Sequence, residues 1–195
     1  MKALLNVLFI CSEFLIFAQK GLDDFLSYSF PSHLTAADHM GKIAWVINEK
    51  GIRNVYSAQT PAYKAVKETQ YSVDDGIEIS QLLFYGYDLI FVGGIAPNRE
   101  GEFPNPYLEV QGTDQAIFLS SNKRVQKLAE GSWPLLRGEV MCFINKGQIY
   151  EYDFTDKLAR RLFTTRGQIG FLRLSPDENK LAFISHRGDH SFGYL

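Results

Sequence analysis

Short apolar stretches recur along this chain at nearly even intervals, each bracketed by Gly, Pro, Asn or Asp. Residues 43–47 (Ile-Ala-Trp-Val-Ile), 88–92 (Asp-Leu-Ile-Phe-Val), 140–144 (Val-Met-Cys-Phe-Ile) and 180–184 (Lys-Leu-Ala-Phe-Ile) are four of them. Runs of this length between turn residues predict buried strands. Two copies match beyond hydrophobicity: Gly41-Lys-Ile-Ala-Trp-Val-Ile-Asn-Glu-Lys-Gly51 and Gly138-Glu-Val-Met-Cys-Phe-Ile-Asn-Lys-Gly147. Each is followed by a polar–apolar–Tyr triplet, Asn54-Val55-Tyr56 and Gln148-Ile149-Tyr150. Counting from Ile43, the equivalent positions are Leu89, Val140 and Leu181, at steps of 46, 51 and 41 residues. A fixed period in this range marks a repeat architecture.

Within one period the signals keep their order. A first strand (residues 43–47) leads through a Gly turn to a second (55–58; in the middle copy 116–118). A third, more polar strand follows, near Val66, at 124–128 and at 160–163. A fourth, at 77–84 and 171–174, leads towards the next first strand, the last time through the turn Ser175-Pro176-Asp177-Glu178-Asn179. Pro presets φ there and the Asp side chain caps the turn. Four strands per period of 40–50 residues read as propeller blades rather than as a β-sandwich with accidental self-similarity. The fold class is therefore all-β: a partial β-propeller of about three four-stranded blades plus the first strand of the next, over residues 41–195. Trp45, Phe91, Phe143 and Phe183, all in first strands, are expected to pack between blades, with Trp45 and Phe183 near bare end faces. Residues 22–30 suit a short turn or helix ended by Pro31, within a lead-in segment over 20–40. Residues 95–115, with three Pro and two Gly, read as a long inter-strand loop.

Composition changes this picture little. Fifteen Phe and ten Tyr among 195 residues favour strands. A formal charge of −2 gives no reason to expect nucleic acid or an anionic membrane as partner. The tightest basic group, Lys157, Arg160 and Arg161, reads as a solvated strand edge. Residues 1–19 differ from the rest: Lys2, then a mostly apolar run to Ala18, predict a secretory signal peptide cleaved near Ala18 and Gln19, interrupted by Glu13 and with a bulky Ile16. A periplasmic or secreted location follows. Cys11 lacks the small preceding residue of a lipid-attachment site. Cys142 is then the single cysteine of the mature chain, a core residue in an apolar run.

Several stretches carry a family likeness. Ile43-Ala-Trp-Val46, Gly51-Ile-Arg-Asn-Val-Tyr56, Tyr71-Ser-Val-Asp-Asp-Gly-Ile-Glu-Ile-Ser80, Lys146-Gly-Gln-Ile-Tyr150, Arg166-Gly-Gln168, Leu172-Arg-Leu-Ser-Pro-Asp177 and Leu181-Ala-Phe-Ile-Ser-His-Arg-Gly-Asp-His-Ser-Phe192 resemble the amino-terminal dipeptidyl peptidase IV-type propeller of bacterial secreted prolyl oligopeptidase-family serine peptidases. The likeness spans residues 30–192; its most specific parts are Asp74-Asp75-Gly76 and Arg187-Gly-Asp-His-Ser191. Two positions depart from it: Tyr85-Gly86-Tyr87 stands where a Ser-Pro-Asp-Gly turn is expected, and Glu68 where a strand residue is apolar. The resemblance implies a propeller that gates and binds short peptide substrates, with hydrolysis supplied by a catalytic domain outside these 195 residues. The alternative is a stand-alone periplasmic propeller of the TolB type, acting as a protein-interaction scaffold. Association through exposed blade faces is expected in either case.

No residue combination in the chain reads as catalytic. A hydrolase serine needs a Gly-x-Ser-x-Gly elbow; the nearest stretch, Gly131-Ser132-Trp133-Pro134, reads as a blade connection. His186 and His190 with Asp189 have metal-like spacing, but they flank a Gly in a turn segment rather than share a helix face, so a hydrogen-bonded turn is expected. Arg187-Gly188-Asp189 is too short to specify a partner. Gly93-Gly94 opens no helix and so no phosphate loop. Asp74, Asp75 and Glu78, with Glu100 and Glu102, form the acidic clusters; in dipeptidyl peptidases a glutamate pair holds the substrate amino terminus, but no motif here places that pair, and Asp74-Asp75-Gly76 reads as an Asx turn. No metal and no cofactor is expected, and the substrate-binding residues stay unassigned.

Overall fold

The computed structural model describes residues 28–94 and 114–195. Its strands form four antiparallel sheets taken up in chain order. The first holds β1 (Phe30–Ala37), β2 (Lys42–Glu49), β3 (Ile52–Gln59) and β4 (Val66–Lys67). The second holds β5 (Ile79–Tyr85), β6 (Asp88–Gly93), β7 (Ala116–Ser121) and β8 (Arg124–Glu130). The third holds β9 (Ser132–Arg137), β10 (Val140–Asn145), β11 (Gln148–Asp153) and β12 (Leu158–Phe163). The fourth has β13 (Gln168–Leu174), β14 (Leu181–Arg187) and β15 (His190–Tyr194). Among the described residues the one helical element is a single 3-10 turn, Asp38–Met40.

Local chemistry sets the hairpins. Lys50-Gly51 and Lys146-Gly147 link second to third strands with both φ angles positive, the conformation whose twist matches flanking strands in two-residue loops. Gly147 suits that turn because its φ of +67° is a conformation that residues with a side chain rarely adopt. The Ser175 turn closes as anticipated: Asp177 Oδ1 accepts from the Ser175 hydroxyl at 2.5 Å and from Asn179 N at 3.3 Å.

The structure corrects the phase of the repeat. The stretches 77–84 and 171–174, expected to close a period, fall in strands over 79–85 and 168–174 that pair with the strands that follow them. Each sheet therefore opens one strand earlier than Gly41 suggests. Phe30 begins a strand instead of ending a turn at Pro31, which lies opposite Ile47 in an edge strand where a missing N–H is tolerated. The fourth sheet accordingly has three strands rather than one. The register also slips by one residue: the counterpart of Ile43 is Met141, not Val140, because Trp45 pairs with Tyr56 as Phe143 pairs with Tyr150.

The first strands stand side by side, β1 against β5, β5 against β9 and β9 against β13. Successive sheets thus face one another and enclose three cores. The first core joins Ala44, Val46 and Val55 to Ile79, Leu82, Leu89 and Phe91; the second joins Ile90, Val92 and Ile117 to Met141, Phe143 and Tyr152. The third joins Ile144 and Ile149 to Ile169, Leu172 and Phe183. Strand β6 shows why its sequence is apolar throughout: Leu89 and Phe91 point to one core, Ile90 and Val92 to the next.

Two devices repeat in all four sheets. A cross-strand aromatic pair joins the second strand to the third: Trp45 with Tyr56, Phe91 with Phe118, Phe143 with Tyr150, Phe183 with Tyr194, at centroid separations of 5.1 to 6.3 Å. Each first strand is also bulged at a residue of positive φ, namely His33, Gln81, Trp133 and Phe171. The residue after the bulge points into the core face: Leu82 and Leu172 are buried. Neighbouring bulges touch, since Trp133 N donates to Gln81 Oε1 at 2.6 Å and the Trp133 ring meets Phe171 edge-on at 5.4 Å. Phe183, expected near a bare end, is 7 % exposed in the third core, whereas Trp45 is half-buried on the face of β2 opposite Ala44 and Val46.

Candidate functional site

Strand β4 is only two residues long, and side chains take over where its ladder ends. Thr69, fully buried, accepts from Val55 N at 2.9 Å and donates to Asn54 Oδ1 at 2.9 Å. Asn54 then clamps the backbone of Tyr71 twice, accepting from its N at 2.8 Å and donating to its O at 3.0 Å. Glu68, the charged residue at an otherwise apolar position, accepts from the Ser57 hydroxyl. This buried amide–hydroxyl network leads the chain over the top of the first core as residues 71–78. Its acidic stretch turns as anticipated, with Gly76 N on Asp74 Oδ1 and Ile77 N on Asp75 Oδ1.

Arg53 ties that segment down. Its guanidinium donates to Gly51 O at 2.8 Å, lies 2.8 Å from the Glu78 carboxylate and 3.9 Å from Asp74. Gly51 is forced by this approach: its φ is +88° and a Cβ would overlap the Asp74 carboxylate.

A cleft of about 340 Å³ opens between the first two sheets. Ile79, Phe91, Ala116 and Phe118 supply an apolar surface, with Arg53, Tyr71 and Asp75 on one side and Gly94, Asp114 and Lys127 on the other. The Tyr71 hydroxyl is pushed above its ordinary pKa by burial and then by Asp75, so it stays a neutral donor. Lys127 reaches Glu130 at 3.3 Å. A volume of this size with an apolar floor and a few convergent polar groups has the character of a ligand site. Side chains of both charge signs, Arg53 and Lys127 against Asp75 and Asp114, border it.

The other sequence candidates lie apart from this cleft. Ser132 opens β9 rather than lying in a connection, and Trp133 and Pro134 follow it in the bulge. Gly131 takes a φ of +135°, and a Cβ would strike Ile144 O. His186 and His190 fall on opposite faces of the β14–β15 hairpin, since His186 pairs with Ser191 and Arg187 with His190. His186 Nδ1 lies 2.9 Å from Ser191 Oγ, and His190 lies 3.4 Å from Asp189. Gly93 ends β6, and Gly94 N donates to Glu78 O at 3.0 Å. Glu100, Glu102, Cys11 and the 1–19 leader lie outside the described residues. Arg53, Tyr71, Phe118 and Lys127 escaped the sequence reading. Arg53 and Tyr71 fall within stretches that carry the family likeness, but only the fold brings them opposite Phe118 and Lys127.

No family model matches the chain, and no curated protein matches it. Among solved structures, the crystal structure of TolB from Acinetobacter baumannii is similar to it, with 20 % identity and a TM-score of 0.53 over 85 % of this chain. The chain is a partial β-propeller. At this identity the likeness is one of fold, and it spans 40 % of the length of that TolB chain. In propeller terms the four sheets are blades, β1, β5, β9 and β13 are their innermost strands, and the cleft lies between the first two blades.

Proposed function

We propose that the chain is a protein-interaction module of the TolB-like kind, exported to the periplasm, which holds a short peptide segment of a partner in the cleft between its first two blades. The observation that carries this reading is the cleft itself, an apolar floor of Ile79, Phe91 and Phe118 bordered by Arg53, Asp75 and Lys127. Such a lining suits one apolar side chain flanked by charges of both signs, with the charged groups giving orientation more than affinity.

The test is an amide-shift titration of the isotopically labelled chain. The probes are pentapeptides with a central Leu or Phe flanked by one acidic and one basic residue. Shifts at Ile79, Gly93 and Ala116 are expected, with Lys127→Glu weakening binding several-fold. Shifts confined to other surfaces, or none with any peptide of the panel, contradict the reading. A second reading, favoured by the stretches around Asp74-Asp75-Gly76 and Arg187-Gly-Asp-His-Ser191, makes the same cleft part of the substrate gate of a secreted serine peptidase. An open reading frame running on into Gly-x-Ser-x-Gly would favour it. Under both readings the purified chain leaves chromogenic Xaa-Pro dipeptides intact; hydrolysis blocked by a serine-directed inhibitor would overturn both. Expression in a bacterial host should also yield a periplasmic product beginning near Gln19 or Lys20, and intact Met1 on cytoplasmic protein would refute export.

A further inference from the structure

Among the described residues, four charged side chains border the cleft, Arg53, Asp75, Asp114 and Lys127, and their commitments differ. Arg53 is used up inside the first blade. Its side chain is 17 % exposed, and its guanidinium serves Gly51 O, Glu78 and Asp74 at once. Lys127 is held more loosely: it meets Glu130 at 3.3 Å with both side chains half exposed, a kind of pair that is worth little and exchanges easily. Asp75 has no such partner. One of its carboxylate oxygens accepts from Ile77 N at 2.9 Å, and it forms no ion pair among the described residues.

The backbone around Asp75 is anchored on both sides. Asn54 clamps Tyr71 at the start of the segment, and Arg53 grips Asp74 just before Asp75 and Glu78 shortly after it. Asp75 is therefore presented to the cleft at a fixed place, half-buried beside Ile77 and Ile79. A carboxylate has about four acceptor sites, and one backbone N–H fills only one of them. An arriving cation makes a charge-assisted bond there, stronger than a neutral one. The carboxylates of Asp74 and Glu78 outweigh the single charge of Arg53, so their field adds to the attraction.

We propose that the peptide segment held in the cleft carries a Lys or Arg beside its apolar side chain, and that Asp75 takes this basic group. Arg53, although it borders the cleft, is a positioning residue: it fixes the segment 71–78 and contacts no ligand. The apolar side chain lies on Ile79, Phe91 and Phe118, its basic neighbour towards blade one, and an acidic neighbour towards Lys127 on β8. This inference rests on the peptide reading of the cleft and adds to it which flanking charge decides selection.

Amide-shift titration of the full chain with pentapeptides capped at both ends tests it, because side chains are then the peptides' only charges. The reference peptide has a central Leu between one Lys and one Glu; a second has Gln for the Lys, and a third has Gln for the Glu. Losing the Lys should weaken binding up to about fivefold, the scale of a partly exposed ion pair, and losing the Glu should weaken it less. Asp75→Asn keeps an oxygen for Ile77 N and so keeps the turn. It should lower the reference peptide to the affinity of the Lys-free one and leave the Lys-free one unchanged. Arg53→Lys should speed hydrogen exchange at residues 72–78 without changing the ratio between the reference and Glu-free peptides; a ratio that falls to one would make Arg53 a ligand contact. Binding in the cleft that ignores the loss of Lys, or that loses equally from it in wild type and Asp75→Asn, would overturn this inference and leave the cleft reading standing. No binding by any of the three would overturn both.

Discussion

Cys142 and Phe143 are neighbours on β10 whose side chains alternate to opposite faces, both essentially sealed from water. Phe143 fills the second core with Met141, Tyr152 and Ile90. Phe143→Ala should cost about 3–5 kcal/mol, because the surrounding blades cannot collapse into the space it leaves; chemical denaturation measures it. Burial pushes the Cys142 thiol above its ordinary pKa, opposed by Arg137. In a Cys11→Ser background the folded chain should therefore resist a thiol reagent and react at the rate of global opening; rapid labelling under native conditions would show the core to be open. Tyr85 responds to alkaline pH. Its hydroxyl donates to the Glu139 carboxylate, and that bond, with burial and the charge of Glu139 adding to it, raises its pKa to about 12. Its folded value lies above the ordinary value, so its contribution to stability is complete below pH 10 and is lost as pH rises through about 12. Tyr85→Phe keeps the stacking on Phe154 and should flatten that part of the stability–pH curve.

At the scale of elements, the bulged first strands and the clamped segment after β4 explain what the sequence left hidden. The second strands were legible because each is a run of apolar residues between turns, and the hairpins because of Lys50-Gly51 and Lys146-Gly147. The first strands were displaced to the end of each period because a bulge breaks their alternation: Gln81 and Leu82, like Phe171 and Leu172, interrupt the register, and a pattern of period two does not survive that. Strand β1 was hidden further by Pro31, which is harmless on an edge. The cleft was not legible at all, since Arg53 and Lys127 belong to different blades and only the stacking of sheets sets them across a gap. The Asx turn at Asp74-Asp75-Gly76 was legible because its chemistry is local. The clamp makes its own prediction. Asn54→Ala leaves the Tyr71 backbone and Thr69 without their partner and should cost about 1–3 kcal/mol. Hydrogen exchange should accelerate at residues 69–71 before it does in β2 or β6; uniform acceleration would mean that Asn54 supports the whole blade.

The whole molecule is a row of sheets in which each core belongs to two neighbours, so its architecture is defined by which blade faces which. A sandwich of the same strands would bring non-consecutive sheets together. Sequence periodicity reached the blade count and the aromatic positions, because Phe91, Phe143 and Phe183 recur at the spacing that stacking demands. It did not reach which residues of the fourth sheet face the third, because that depends on which side of β14 Phe183 occupies. The most direct test of the architecture is a set of methyl–aromatic nuclear Overhauser effects on the selectively labelled chain. Contacts from Val46 to Phe91, from Val92 to Phe143 and from Ile144 to Phe183 are predicted, one across each junction. If those three are missing, or if methyls of the first sheet contact aromatic rings of the third, the chain is not a sequential arc of blades.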